Sequence, residues 1–293
     1  MAQSIICTAA APFWSLVLRV NMTLRLIFGS IYGTGIIMGE TAYTEELVTG
    51  CELLWGEGFL SPGGEEEVAL TVEGLDLTDK SVLDIGSGVG GPAFCLASKL
   101  GAGRVIGIDL VPLNIQRATR RSSTLGLADR VTFQRVDGNG LPFGDSVFDV
   151  VFSKDAIIEA PDKTDLLCEA YRVLRPGGWI ALSDWFRGSE PYTAEMTQFL
   201  KDAGPTLRMA TLDETAKLLH EAGFVDIAAL DRNAWYRDYS KAEFERITGE
   251  DRLRFEALLG KDEAAKWIAT VKLKCVAVEQ GQLRPGHLRA RRP

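Results

Sequence analysis

The sequence predicts an α/β chain with a mostly parallel sheet and helices on both faces, on three observations. From Lys80 onward, short apolar runs alternate with amphipathic stretches, the pattern of βαβ units. The first run closes on Gly86-Ser-Gly-Val-Gly-Gly91, where a strand must turn sharply and let backbone approach a ligand. Residues 147–153 are β-branched and almost wholly apolar, as suits a parallel strand buried on both faces.

Taken in order, Ser81–Ile85 reads as the first strand. Residues 93–100 form the following helix, because glycines there yield to good helix formers. Residues 104–110 make the second strand, containing Asp109, and 114–125 a helix with Arg and Ser on its wet face. Val131–Arg135 is the third strand, followed by Val136-Asp-Gly138, and 147–153 the fourth. The helix over 165–174 is stopped by Arg175-Pro-Gly-Gly178, ahead of a fifth strand at 179–184. Residues 211–222 form a helix ended by Gly223, 225–230 a sixth strand, and 239–278 are mostly helical.

No repeat or low-complexity linker interrupts this pattern. The expected division is an apolar extension at 1–38, a lid and helix over the site at 39–79, a core at 80–235, and a helical cover with a basic tail at 236–293. The tail arginines Arg284, Arg289, Arg291 and Arg292 read either as solvated or as an anion-binding lid. Residues 1–39 carry Arg19 and Arg25 but no acid, and Pro12 and several glycines break any continuous span. Three readings stand for them: upstream sequence ahead of a start at Met38, a targeting or membrane-surface segment, or an extra helix.

Composition narrows the function. Lys and Arg total 32 against 40 Asp and Glu, a net charge of −8, which argues against a nucleic-acid partner. Membrane contact is expected only if the apolar extension belongs to the protein. Five scattered cysteines without a C-x-x-C pair suit a reducing, cytoplasmic setting and suggest neither a disulfide framework nor a zinc site. With only His220 and His287 in the chain, no metal is expected and the catalytic base must be sought among other residues.

The bare Gly86, Gly88, Gly91 string fits dinucleotide dehydrogenases as well, and so does Asp109 as a partner for a ribose diol. Asp84 inside the end of the first strand, Asp137 after the third, and Leu174-Arg-Pro-Gly-Gly178 before the fifth decide between them. With these the chain resembles the class I S-adenosylmethionine (SAM)-dependent methyltransferases, which implies a Rossmann-like fold and SAM as cofactor. On that resemblance Asp84 meets the SAM ammonium, Asp109 the ribose and Asp137 the adenine amine. Gly86, Ser87, Gly88, Leu110 and Gly138 complete the cofactor contacts.

A narrower likeness rests on Tyr43-Thr-Glu-Glu46, on Trp55-Gly-Glu-Gly-Phe-Leu-Ser-Pro-Gly-Gly64 and on Ser153-Lys-Asp-Ala-Ile-Ile158. Over about Thr41 to Tyr239 the chain resembles the phosphoethanolamine N-methyltransferases and the sarcosine/dimethylglycine N-methyltransferases. The resemblance implies that Tyr43 closes over the site and aids catalysis, that Leu60, Ser61 and Lys154 touch SAM, and that Asp155 binds the acceptor amine. The phosphoethanolamine enzymes pair that tyrosine with a histidine where this chain has Glu159. Their phosphate-holding residues fall on Phe199, Ala203 and Pro205, and a further tyrosine on Trp185.

Asp155 and Glu159, with Trp185, Trp235 and Tyr236 as aromatic walls, suit a small-molecule amine. N-methyl transfer is therefore the expected activity, with Tyr43, Asp155 and Glu159 as catalytic residues. Phosphoethanolamine itself, a thioether such as methionine, and SAM binding without catalysis are the alternatives. A metal-assisted O-methyltransferase would use Asp155 and Asp184, yet Trp185 stands where a further ligand would be wanted.

Overall fold

In the computed structural model, which describes residues 43–188, 190–203 and 207–293, Ser81–Ile85 (β1) is the strand on which the molecule is built. Val82 packs into one apolar layer, and Leu83 and Ile85 into the other. β1 pairs in parallel with Arg104–Asp109 (β2) and with Phe148–Lys154 (β4). Val131–Arg135 (β3) extends the sheet beyond β2, and Leu174–Arg187 (β5) beyond β4, again in parallel. With Val225–Asp231 (β6) and Leu283–Arg291 (β7), the order of the seven strands is β3-β2-β1-β4-β5-β7-β6. Strand order reverses between β1 and β4, so the crevice at their carboxyl ends is where such a sheet binds ligands.

Helices cover the sheet. Glu45–Trp55 (α1) and Gly64–Thr71 (α2) precede β1; Gly91–Ser98 (α3), Pro112–Thr124 (α4) and Lys163–Val173 (α5) join the parallel strands. Ala194–Ala203 (α6) and Leu212–Glu221 (α7) lie between β5 and β6, and Asn233–Thr248 (α8), Arg252–Leu259 (α9) and Lys261–Glu279 (α10) between β6 and β7. Their starts are chemically marked. Thr44 accepts the Leu47 N–H, Asp162 accepts those of Thr164 and Asp165, and Thr211 and Glu214 form a reciprocal capping box.

Two expectations about the sheet change. The basic tail is neither solvated nor a lid: it is β7, antiparallel to both β5 and β6 and inserted between them. Leu283, Leu288 and Ala290 are buried, while Arg284 pairs with Asp231 at 2.5 Å and Arg291 with Asp226 at 2.6 Å. Arg292 donates to the carbonyls of Tyr171, Arg172 and Leu174, capping the end of α5. The fifth strand is also longer than expected and begins at Leu174, so Arg175-Pro-Gly-Gly178 ends α5 as foreseen but lies within β5. Helix α6 was not foreseen.

The extension at 1–38 and Pro205 lie outside the described residues. Among those described, no helix is long and apolar enough to cross a membrane. Among the described residues Cys51, Cys95 and Cys275 are free.

Because β7 is the neighbour of β6 within the described sheet and the outer neighbour of β5, removing residues 283–293 leaves β6 unpaired and bares the outer edge of β5. Cooperative thermal unfolding followed by circular dichroism should be lost in that truncation. A sharp transition in it would show β7 to be dispensable.

Candidate functional site

The crevice is built by the turn out of β1. Gly86, Gly88 and Gly90 have positive φ values of 73°, 52° and 94°. A Cβ on Gly86 would lie 2.2 Å from that of Ala156, in the loop after β4, so only glycine fits there. The Gly86 and Ser87 N–H groups both donate to the Ile108 carbonyl, at 2.8 and 2.9 Å, tying the loop to β2.

Asp84 and Asp109 flank this turn with opposite fates. Asp109 Oδ2 accepts the Gly88 N–H at 2.9 Å, and Oδ1 accepts from Val111 N at 2.8 Å and Asn114 Nδ2 at 3.3 Å. Asp84 is 1% exposed and neither of its oxygens has a partner. Burial, and then the Asp109 charge, push its carboxyl up to about 8. The Ser87 hydroxyl is likewise buried without a partner. A buried carboxylate left unpaired is costly, so the site is shaped for a cation that the chain itself does not supply.

At the mouth, Leu110 is 53% exposed. A Cβ on Gly138 would stand 3.5 Å from its Cδ2, so the two share a wall. Asp137 beside them is exposed, and its carboxylate accepts from the amide and side chain of Asn139, both at 3.0 Å.

Beyond the turn the structure sorts the remaining candidates into two groups. Glu159 closes a 3-10 turn after β4, and its carboxyl is raised to about 7 by burial and then by Asp109. Burial raises the Tyr43 hydroxyl as well, with Glu159 and Asp109 adding to the effect. The charges of Glu159 and Asp109 thus act on Tyr43, and that of Asp109 on Glu159.

The second group surrounds Lys154 at the end of β4. Its ammonium, nearly buried, donates to Ser61 Oγ at 2.8 Å and to Asp155 Oδ2 at 2.5 Å. Asp155 has φ 54° and donates its amide to the Ser183 carbonyl at 2.8 Å, which fixes it over the end of β5. Lys154, Asp155, Trp185, Trp235 and Tyr236 line one cleft. Trp185 and Tyr236 meet edge to face at 4.8 Å, and Trp235 is tilted against Tyr236 at 5.5 Å. Leu60 lies against Gly88, its Cδ1 3.1 Å from where a Cβ would stand.

Sequence reasoning missed Glu67, a buried member of that cleft. His287 Nε2 lies 2.8 Å from Glu67 Oε2, and Arg232 pairs with the same carboxylate. Burial pushes the Glu67 carboxyl up, but the hydrogen bonds of His287 and Arg232 outweigh it and hold it low. In sequence Glu67 belongs to an acidic run at a helix start, which normally reads as a solvated face. Asp184 is also buried and raised, by burial and then by Asp155.

The comparisons with known proteins agree with this geometry. A family model described as a methyltransferase domain matches residues 83–182. Phosphoethanolamine N-methyltransferase 1 of Arabidopsis thaliana is 34% identical over 200 residues, covering 68% of this chain and 40% of that protein. The 27-O-demethylrifamycin SV methyltransferase of Amycolatopsis mediterranei is 32% identical over 254 residues, covering 82% of this chain and 92% of the relative. Phosphoethanolamine N-methyltransferase 2 of Haemonchus contortus, solved with phosphomonomethylethanolamine and S-adenosylhomocysteine, superposes with a TM-score of 0.80 at 26% identity. That match covers 86% of this chain and 59% of the solved one. The chain spans less than half the length of the plant relatives it matches.

The chain belongs to the class I SAM-dependent methyltransferases. Its residues fit that cofactor. The orphaned Asp84 carboxylate suits the ammonium, the strained glycine turn leaves room for close approach, and Leu110 offers an apolar surface at the mouth.

Asp84 carries a prediction in both ligand states. Its folded value of about 8 lies above the ordinary 3.8, so the ligand-free folded protein binds this proton more tightly than the unfolded chain. That contribution to stability is fully present below about pH 4 and is lost as pH rises through about 8. Asp84→Asn should flatten this fall in thermal melts while weakening SAM binding at least about tenfold by calorimetry. Unchanged SAM affinity in the variant would refute the assignment.

Proposed function

We propose that this protein methylates the amine of a small molecule, with Glu159 as the proton acceptor. The observation that carries the proposal is the Glu159 carboxyl, raised to about 7 beside Tyr43 and Asp109. A base with that value is half ionised near neutral pH, where a general base is most effective.

SAM, when bound, supplies a methyl group activated by its sulfonium for in-line displacement. The chain's part is to present a nitrogen lone pair to that methyl. An ammonium acceptor has none, so Glu159 takes one proton, becoming neutral, and leaves the amine free to attack. With SAM bound, that nitrogen would take the methyl carbon while the carbon–sulfur pair leaves with sulfur. Asp155 anchors the acceptor from the other side, with its own position set by Lys154 and by the Ser183 carbonyl. Trp185 and Trp235 wall the cleft, exclude water and hold the near-attack geometry. The roles of Tyr43, Leu60, Ser61 and Asp137 toward the ligands belong to the same proposal.

The acceptor is not expected to be a phosphobase. At the phosphate-holding positions of the phosphoethanolamine enzymes, Phe199 packs in an apolar cluster with Met196 and Tyr236, and Ala203 has no donor side chain. A hydroxyl acceptor is the second reading. The rifamycin relative, named for methylation of a 27-O-demethyl compound, is covered over 92% of its length. The same Glu159 would serve a hydroxyl.

Labelled SAM offered with phosphoethanolamine, sarcosine, dimethylglycine, methionine and hydroxylated macrocycles should label an amine other than phosphoethanolamine. Labelling confined to methionine or to hydroxyl compounds would overturn the proposal. With the accepted substrate, kcat should rise with pH through about 7 as Glu159 ionises. Glu159→Gln should lose about 10²-fold or more in kcat, with SAM binding retained. A variant within about twofold of wild type would remove Glu159 from the mechanism.

A further inference from the structure

We infer that Glu52 is a positioning residue that fastens the lid to the cofactor turn and thereby sets how long the cofactor is held. Glu52 lies in the middle of α1, with its side chain only 10% exposed. Oε1 accepts from the Gly58 amide and from Arg121 Nη2, both at 2.7 Å, and Oε2 accepts from Arg117 Nη2 at 2.8 Å. The two arginines stand one turn apart on α4, the helix that begins just after Asp109. One carboxylate therefore joins lid, α4 and the segment leading to Leu60 and Ser61.

The contact reaches the turn itself. Arg121 uses its other amino group to donate to the Val89 carbonyl, inside the glycine turn, at 3.1 Å. Gly58, held by Glu52, accepts the Gly91 N–H at 2.9 Å from the start of α3. Tyr43 precedes α1 and Leu60 follows it, so both lid residues over the cofactor take their position from a rod pinned at its centre.

Charge-assisted hydrogen bonds of this kind are short and directional, and removal of the carboxylate leaves Arg117 with the exposed Glu45 and with Thr49, and Arg121 with the exposed Glu57 and the Val89 carbonyl. The opposite face of α1 is held separately. Leu54 packs with Ile247, Phe255 and Ala264 in an apolar cluster on the C-terminal helices. Loss of Glu52 should therefore leave the helix folded while loosening its register on the cofactor turn. A lid that is correctly seated only part of the time weakens apparent affinity by that fraction.

The inference rests on the SAM site, not on the identity of the acceptor, and S-adenosylhomocysteine is the probe. Its affinity and off-rate would be measured for the full chain as wild type, Glu52→Gln, Arg121→Gln and Lys99→Gln. The last variant breaks an exposed ion pair with Glu65 and serves as a control. Glu52→Gln and Arg121→Gln should bind about tenfold more weakly, mainly through a faster off-rate. The control should stay at wild-type values, and Glu52→Gln and Arg121→Gln should still unfold cooperatively without ligand, at somewhat lower melting temperatures. Ligand should slow amide exchange over residues 45–60 in wild type and much less in Glu52→Gln.

Should Glu52→Gln fail to fold, Arg121→Gln carries the test alone. Off-rates within about twofold of wild type in the folded variants would overturn the role of Glu52. A wild-type protein that does not bind the probe would sink the cofactor reading and this inference with it.

Discussion

The carboxylate of Asp84, buried at the carboxyl end of β1 with no partner, is the constraint on which the site depends. A carboxylate in that position opposes folding of the ligand-free chain, because burial favours its protonated form. The surrounding sheet makes the position possible. β1 lies between β2 and β4 in register, so Asp84 is held beside Gly107 and Phe152 by strands that cannot shift without disturbing their neighbours. A cation bound there would restore what the site forfeits in stability.

Two further acids gain their chemistry from the same crevice. Glu159 is raised by its own burial and then by Asp109, which is itself anchored by the Gly88 and Val111 amides. The turn that makes room for the cofactor thus also sets the charge that tunes the proposed base. Ala156, pressed against Gly86, couples the loop bearing Glu159 to that turn. A side chain at Gly86 would displace cofactor and base together.

The fold was legible wherever a local pattern carried it. β1 and β3 match their predicted bounds: β1 is a continuously buried, mostly apolar run closed by the glycine turn, and β3 a short run between turn residues. β7 was illegible for the opposite reason. Leu283-Arg-Pro-Gly-His-Leu-Arg-Ala-Arg291 mixes a proline, a glycine and three arginines into a strand, and its burial comes from being clamped between β5 and β6 rather than from its composition. Gly86, Ser87 and Gly88, expected at the cofactor, could be singled out because they are consecutive in one turn. Glu67 and His287, 220 positions apart, form one hydrogen bond that no local pattern announces.

That distant pair also alters what the acceptor cleft selects. From residue types alone, carboxylates beside aromatic rings suggest a general affinity for cations. In the structure each carboxylate of the cleft already has its own counter-charge: Asp155 has Lys154, and Glu67 has Arg232. Their fields largely cancel at any distance beyond the pair, so the cleft offers orientation and shape more than net attraction. The acids that burial raises without an opposing counter-charge are Asp84, Asp109 and Glu159. On the proposed reading a cation would be drawn toward these acids once they ionise, while the aromatic walls would distinguish acceptors by fit. An acceptor's ammonium would be held where it must lose its proton, and the rest of the molecule would be read by Trp185 and Trp235.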